Sequence, residues 1–94
     1  MHLVFSWDPA KAAANLAKHG VAFEEALTVF GDPLAWVFPD DAHSAEERRH
    51  LMIGASTERR LLVLSFTERG GAIRIISARP ANPQERRKHE EAHD

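Results

Sequence analysis

Lys11, Asn15, Lys18 and His19 follow one another at intervals of four, three and one. On a helix this spacing sets two cations, an amide and a titratable ring along one edge. Such a set can hold a phosphodiester and move a proton near neutral pH; alternatively it is a solvated face whose lysine complements the carbonyl end of the helix dipole. Further along, His43, Glu46, Glu47 and Arg48 precede a strand-like run. A carboxylate beside an arginine can serve as a general base oriented by its cationic neighbour, or be a surface pair worth at most ~1 kcal/mol. The third group is Arg74, Ser77 and Arg79, in and just after the apolar run Ala72–Ala78. Planar guanidinium donors bind phosphate oxygens in pairs; the structural alternative for Arg74 is an ion pair with Glu46, Glu47 or Glu68. Strict alternation sends Ile73, Ile75 and Ser77 to one side and Arg74, Ile76 and Ala78 to the other, with Arg79 on the Ser77 side. Arg86, Arg87 and Lys88 form a further cluster, read as a solvated or partner-facing helix.

Other chemistry is excluded or disfavoured. The chain has no phosphate-binding glycine loop, nucleophile elbow or zinc-protease pair. It has no cysteine among its 94 residues, which rules out disulfides, thiolate metal sites and thiol nucleophiles and fits a reducing cytoplasm. His43 and His50 lack the spacing of helix-borne ligands, so neither metal nor cofactor is expected. Twelve Lys and Arg against fourteen Asp and Glu give a net charge of −2. That balance argues against non-specific binding of long nucleic acids while leaving room for a local basic site. Met1–Trp7 is too short and polar for a signal sequence, and no apolar run approaches membrane-spanning length. A cytoplasmic protein without membrane contact is expected.

The elements that must position these groups form one domain over 1–94. Residues 2–7 read as a first strand. Asp8-Pro9 starts a helix ended by His19-Gly20. Ala10, Ala13, Ala14 and Ala17 line one face of it. Phe23, Ala26, Leu27 and Phe30 keep the i, i+3, i+4, i+7 spacing of a second helix, stopped by Gly31-Asp32-Pro33. Strands follow over 34–38, 49–54, 60–66 and 72–78, with a polar connection over 42–47 and turns at 56–59 and 68–71. Two helices followed by hairpin-linked strands predict an α+β fold, an antiparallel sheet with the helices on it. Asn82-Pro83-Gln84-Glu85 is a capping box. The helix it opens, through residue 94, has no large apolar residue and is expected to be mobile in isolation, supported by pairs such as Arg86–Glu90 and Arg87–Glu91.

Taken in order, Phe5-Ser-Trp-Asp8, Lys11, Asn15, Lys18-His-Gly-Val21, Phe23-Glu-Glu-Ala26, Val29-Phe30, Asp32-Pro33, His43-Ser44, Glu47-Arg48, Ile53-Gly54 with Ser56, Arg74-Ile-Ile-Ser-Ala-Arg79, Ala81, Glu85-Arg86 and Glu90-Glu91 resemble the BrnT toxins over nearly the whole chain. The resemblance implies a RelE-like fold and a toxin of a type II toxin–antitoxin pair that cleaves RNA and arrests translation. It also implies neutralisation by a BrnA-type antitoxin that supplies the DNA contact. The matching polar positions are Lys11, Asn15, Lys18, His19, His43, Glu47, Arg48, Arg74, Arg79 and Glu85. His89 stands where the family usually has tyrosine.

A metal-free ribonuclease must take the proton of the 2′-hydroxyl, stabilise charge on the phosphate and protonate the leaving 5′-oxygen. On residue chemistry, Arg74 and Arg79 are assigned to the phosphate, Glu47 or His19 to the base, and Lys18 to an auxiliary cation or acid. Lys11, Asn15, Arg48 and Arg86 are assigned to RNA contact. Two other classes remain: a non-catalytic binding or regulatory protein acting through its antitoxin, and a metal-dependent hydrolase using some of the six histidines.

Overall fold

The structure, a computed structural model, describes residues 3–43 and 47–93. In chain order it contains β1 (Val4–Ser6), α1 (Pro9–His19), α2 (Phe23–Ala26), β2 (Trp36–Pro39), β3 (Arg49–Ala55), β4 (Leu61–Arg69), β5 (Ala72–Pro80) and α3 (Pro83–Ala92). The end signals act as the sequence dictates. Asp8 accepts the Ala10 amide at 2.8 Å, Pro9 opens α1, and Gly20 closes it with φ 69°. Asn82 and Glu85 form the reciprocal capping box of α3.

Five strands make one sheet in the order β1-β5-β4-β3-β2. It is mixed rather than wholly antiparallel, because β1 lies parallel to β5. The chain leaves β1 through both helices and enters the sheet at the far edge; three hairpin reversals then bring β5 back beside β1 in the same direction. The expected second helix is also shorter. After one turn at Phe23–Ala26 it tightens into a 3₁₀ segment, Leu27–Gly31, where the Thr28 hydroxyl donates to the Glu25 carbonyl at 2.6 Å. β4 runs on through Glu68 to Arg69, and Gly70 and Gly71, both at positive φ, make the turn to β5.

The main core lies on the helix side of the sheet, where Val21, Phe23, Ala26 and Val29 meet Met52, Leu62, Leu64, Phe66, Ile73 and Ile75. Burying this apolar surface is the chief favourable term for a chain of this size. The alanine line of α1 is exposed; the residues it turns inward are Ala12 and Asn15. Asn15 is 7% exposed, and its amide is fully occupied. It donates to the carbonyls of Val21 (2.9 Å) and Ala78 (2.7 Å) and accepts the Ala78 N–H at 3.1 Å. β1 pairs β5 only through residue 74, so Asn15 supplies the partner that the β5 edge lacks further on.

A second clamp joins α2 to the β3–β4 turn. Glu25, buried at 6% exposure, accepts from the Ser56 hydroxyl at 2.7 Å and from Arg60 Nε at 3.0 Å, with Arg60 Nη2 also bonded to it. Arg60 reaches on to the Gly20 carbonyl at 3.0 Å. The Arg60 hydrogen bonds hold the Glu25 carboxyl below its ordinary range, against burial, with Ser56 adding to the lowering.

A depressed carboxylate contributes stability at and above the ordinary carboxylate range, which is lost as pH falls through its folded-state pKa. Glu25→Gln should therefore lower stability at neutral pH by about 2 kcal/mol and flatten the loss on acidification, as read from urea midpoints across that range. Asn15→Ala leaves three backbone groups unpaired and should cost about 2–4 kcal/mol, measured by chemical denaturation.

Candidate active site

The face of the sheet away from the main core is ordered by cross-strand register. Trp36, Ile53, Val63 and Arg79 pair in one row across four strands, and Phe38, Leu51, Ser65 and Ser77 in the next. A third row follows, Arg49 with Thr67 and Thr67 with Arg74. Directly paired residues share a face, so this surface grades from an aromatic and aliphatic end to a cationic one.

Arg74 and Arg79 share that face because β5 carries an extra residue. Ser65 pairs Ser77 while Phe66 pairs Ile75, which leaves Ile76 unmatched in a β-bulge. Strict alternation expects Ser77 and Arg79 opposite Arg74. The bulge shifts the register by one and moves both round to the Arg74 side, while Ala78 turns to the core.

Carboxylates attend the cations. Glu85 grips Arg79 with two bonds of 2.7 and 2.8 Å. Hydrogen bonding from Arg79 holds the Glu85 carboxyl below its usual range despite partial burial, with help from the Asn82 amide. Glu47 pairs with Arg69, not with Arg74; Arg69 stands two residues along β4 from Thr67, on the same face by alternation. Thr67 is 1% exposed, and its hydroxyl has no hydrogen-bond partner among the described residues. Across the sheet this buried hydroxyl lies between the positions of Arg49 and Arg74.

α3 lies over the apolar end without burying a residue of its own. His89 Nε2 lies 3.3 Å from the Leu34 carbonyl, and the Trp36 ring meets His93 edge-on at 5.8 Å. Between helix and sheet is a cavity of about 300 Å³, bounded by Trp36, Phe38 and Leu51 below and Arg79, Lys88 and His89 above and beside.

The remaining sequence candidates lie elsewhere. Lys11, Lys18 and His19 border a shallow groove along the β5 edge that also touches Ile76 and Ser77, so they meet the open face only at its rim. Asn15 is committed to backbone. Arg48 and Arg86 are exposed; on α3 it is Lys88, not Arg86, that lines the cavity. Glu46 and the His43 side chain lie outside the described residues. Among the described residues no three His, Asp or Glu gather into a metal-binding group, and no helix is long and apolar enough to cross a membrane. Arg49, Thr67, Trp36 and Phe38, which the register brings to the same face, are not among the candidates the sequence offers. Trp36 and Phe38 are 45% and 43% exposed, and aromatic residues at i and i+2 of a short strand between polar breaks were the available signal.

Residues 7–85 match the family described as "Ribonuclease toxin, BrnT, of type II toxin-antitoxin system". The fold is similar to the crystal structure of the Brucella abortus ribonuclease toxin BrnT, determined at 1.1 Å, with a TM-score of 0.66 and 28% sequence identity over 87% of this chain and 99% of that one. No curated protein sequence matches the chain. The ordered sequence segments, the family match and the shared architecture together place this chain in the BrnT family of ribonuclease toxins of type II toxin–antitoxin systems.

Proposed function

We propose that the chain is a metal-independent endoribonuclease, RelE-like in kind, that cuts RNA on the open face of its sheet and thereby arrests translation. The observation that carries this is the bulge at Ile76, which gathers Arg74, Ser77 and Arg79 on one face with Arg49 and Thr67 paired beside Arg74. Arg49 and Arg74 take the non-bridging oxygens of the scissile phosphate, with the buried Thr67 spacing them across the row. Arg79, oriented by Glu85, takes the adjoining nucleotide.

The RNA supplies its own nucleophile. Its 2′-oxygen attacks phosphorus as the bond to the 5′-oxygen breaks, giving a 2′,3′-cyclic phosphate and a free 5′-hydroxyl. Glu47 receives the 2′-proton, because it is the carboxylate tied to Arg69, two positions along β4 from Thr67. The leaving oxygen takes a proton from the Lys18–His19 rim or from water. Lys11, Arg48 and Arg86 contact flanking phosphates, which suits a chain whose overall charge gives no long-range attraction. The protein acts in the cytoplasm, and a BrnA-type antitoxin covers part of this face and contributes any DNA binding.

One observation favours a second reading, a non-catalytic binding protein acting only through its antitoxin: Glu47 and Arg79 are each already engaged by a neighbour of opposite charge. The two readings separate in variants that stay folded by circular dichroism. Arg74→Ala should lower kcat/KM for RNA cleavage by about 100- to 1,000-fold, the usual loss of one donor to a developing anion. Glu47→Gln should lower kcat by a comparable factor, and Arg79→Ala should act mainly on KM. Undiminished cutting by all three, or a parent protein that neither cuts RNA nor slows growth, rejects the catalytic assignment.

A further inference from the structure

We infer that the cavity between α3 and the apolar end of the open face is a nucleobase site, which stacks one base of single-stranded RNA on Trp36 and Phe38. The inference rests on the ribonuclease reading and adds to it the place where a base, as distinct from the phosphate, is held.

Three features point to a base. The cavity, at about 300 Å³, lies at the small end of the ~300–1,000 Å³ typical of small-molecule sites, which suits one planar ring system better than a protein helix. Its aromatic residues stand on the same sheet face as the cations: Trp36 shares a row with Arg79, and Phe38 shares one with Ser77, directly beside the Arg49–Thr67–Arg74 row. A strand whose phosphate sits on that third row therefore has a neighbouring base within reach of the aromatic end. Finally, the charges around the cavity suit a polyanion. Arg79 and Glu85 line it as a mutually neutralised pair, and Lys88, the other charged residue among the described ones that line it, leaves it net positive. Aromatic platforms beside a cationic track are the usual means of holding single strands without reading their sequence. The exposed aromatics of an edge strand, otherwise an aggregation hazard, thereby acquire a role.

The chain has two tryptophans, Trp7 and Trp36, and Trp7 packs against Phe23 at 5.9 Å in the main core. A Trp7→Phe protein therefore reports Trp36 alone. Titrating it with a single-stranded 2′-O-methyl oligonucleotide, which cannot be cut through the 2′-oxygen, should quench the remaining fluorescence saturably. Trp36→Leu and Phe38→Leu should each weaken binding of the same oligonucleotide about tenfold by anisotropy. An abasic oligonucleotide of equal length and charge should bind the Trp7→Phe protein without quenching, a comparison that needs no substitution at Trp36 or Phe38, and its affinity should not respond to either of those substitutions. Oligonucleotide binding that leaves Trp36 fluorescence unchanged overturns the site, as does RNA cleavage with an unaltered KM in Trp36→Leu, although the nuclease reading then stands. Weakened antitoxin binding in Trp36→Leu with unchanged oligonucleotide affinity also overturns it, in favour of a protein partner. Quenching by a protein that cuts no RNA keeps the base site and removes only the catalysis, whereas no oligonucleotide binding at all removes both.

Discussion

Much of this molecule turns on one extra residue in β5 and the side chain that secures the strand just beyond it. In a strand, a shift of one position sends every following side chain to the opposite face. Ile76 introduces that shift, so the second half of β5 presents Ser77 and Arg79 where Arg74 already stands. Two residues past the bulge, Ala78 has no neighbouring strand on its outer edge, and both its backbone groups are taken by the Asn15 amide. Helix α1 thus behaves as a surrogate strand at the point where register matters most. The same amide ties down Val21, the first core residue after the α1 cap, so helix packing and strand register are set together.

A second constraint is electrostatic. The chain is slightly acidic overall, yet by register its open face collects Arg49, Arg69, Arg74 and Arg79, joined by Lys88 from α3. Charges farther apart than about 8–10 Å are largely screened at physiological salt; the field at this face is set by this local group and not by the sum over the chain. Two carboxylates, Glu47 and Glu85, are drawn to the same face. They limit mutual repulsion among the guanidinium groups and fix their orientation. Glu25 does comparable work with Arg60 on the other side of the molecule, where it ties α2 to the β3–β4 turn.

The two faces of the sheet differ in how much they ask of the chain. The helix side is filled by Phe23, Leu62, Leu64 and Ile75, all nearly or wholly buried. The other side has a smaller apolar patch of Ile53, Leu61 and Val63, and a helix without buried residues lies over it. Contact between α3 and this face depends on polar and ring interactions at Arg79, Leu34 and Trp36. Such contacts are individually weak and reversible, so a site can lie under α3 without being part of the core.

How much of this was legible in the sequence depends on the range of the interaction that decides it. The α1 caps, the capping box of α3 and the turn at 56–59 follow from bonds spanning a few residues, and the five strands from local apolar runs bounded by turn residues, so the sequence by itself determined them. It also determined the family, since an ordered series of segments survives without knowledge of any distance. The apolar spacing of the second helix continues to Phe30, but the helix ends at Ala26 because Thr28, Gly31 and the neighbouring turn favour a tighter coil. The parallel pairing of β1 with β5, the bulge, the burial of Asn15 and the partners of Glu47 and Arg79 were decided by tertiary structure alone. The Asn15 and Ala78 backbone contacts, for example, join residues 63 positions apart. A polar side chain on a helix reads the same in sequence whether it faces water or the edge of a strand, and alternation cannot reveal where one residue is left unpaired. Which cations share a surface is therefore a property of the closed sheet and not of their spacing along the chain.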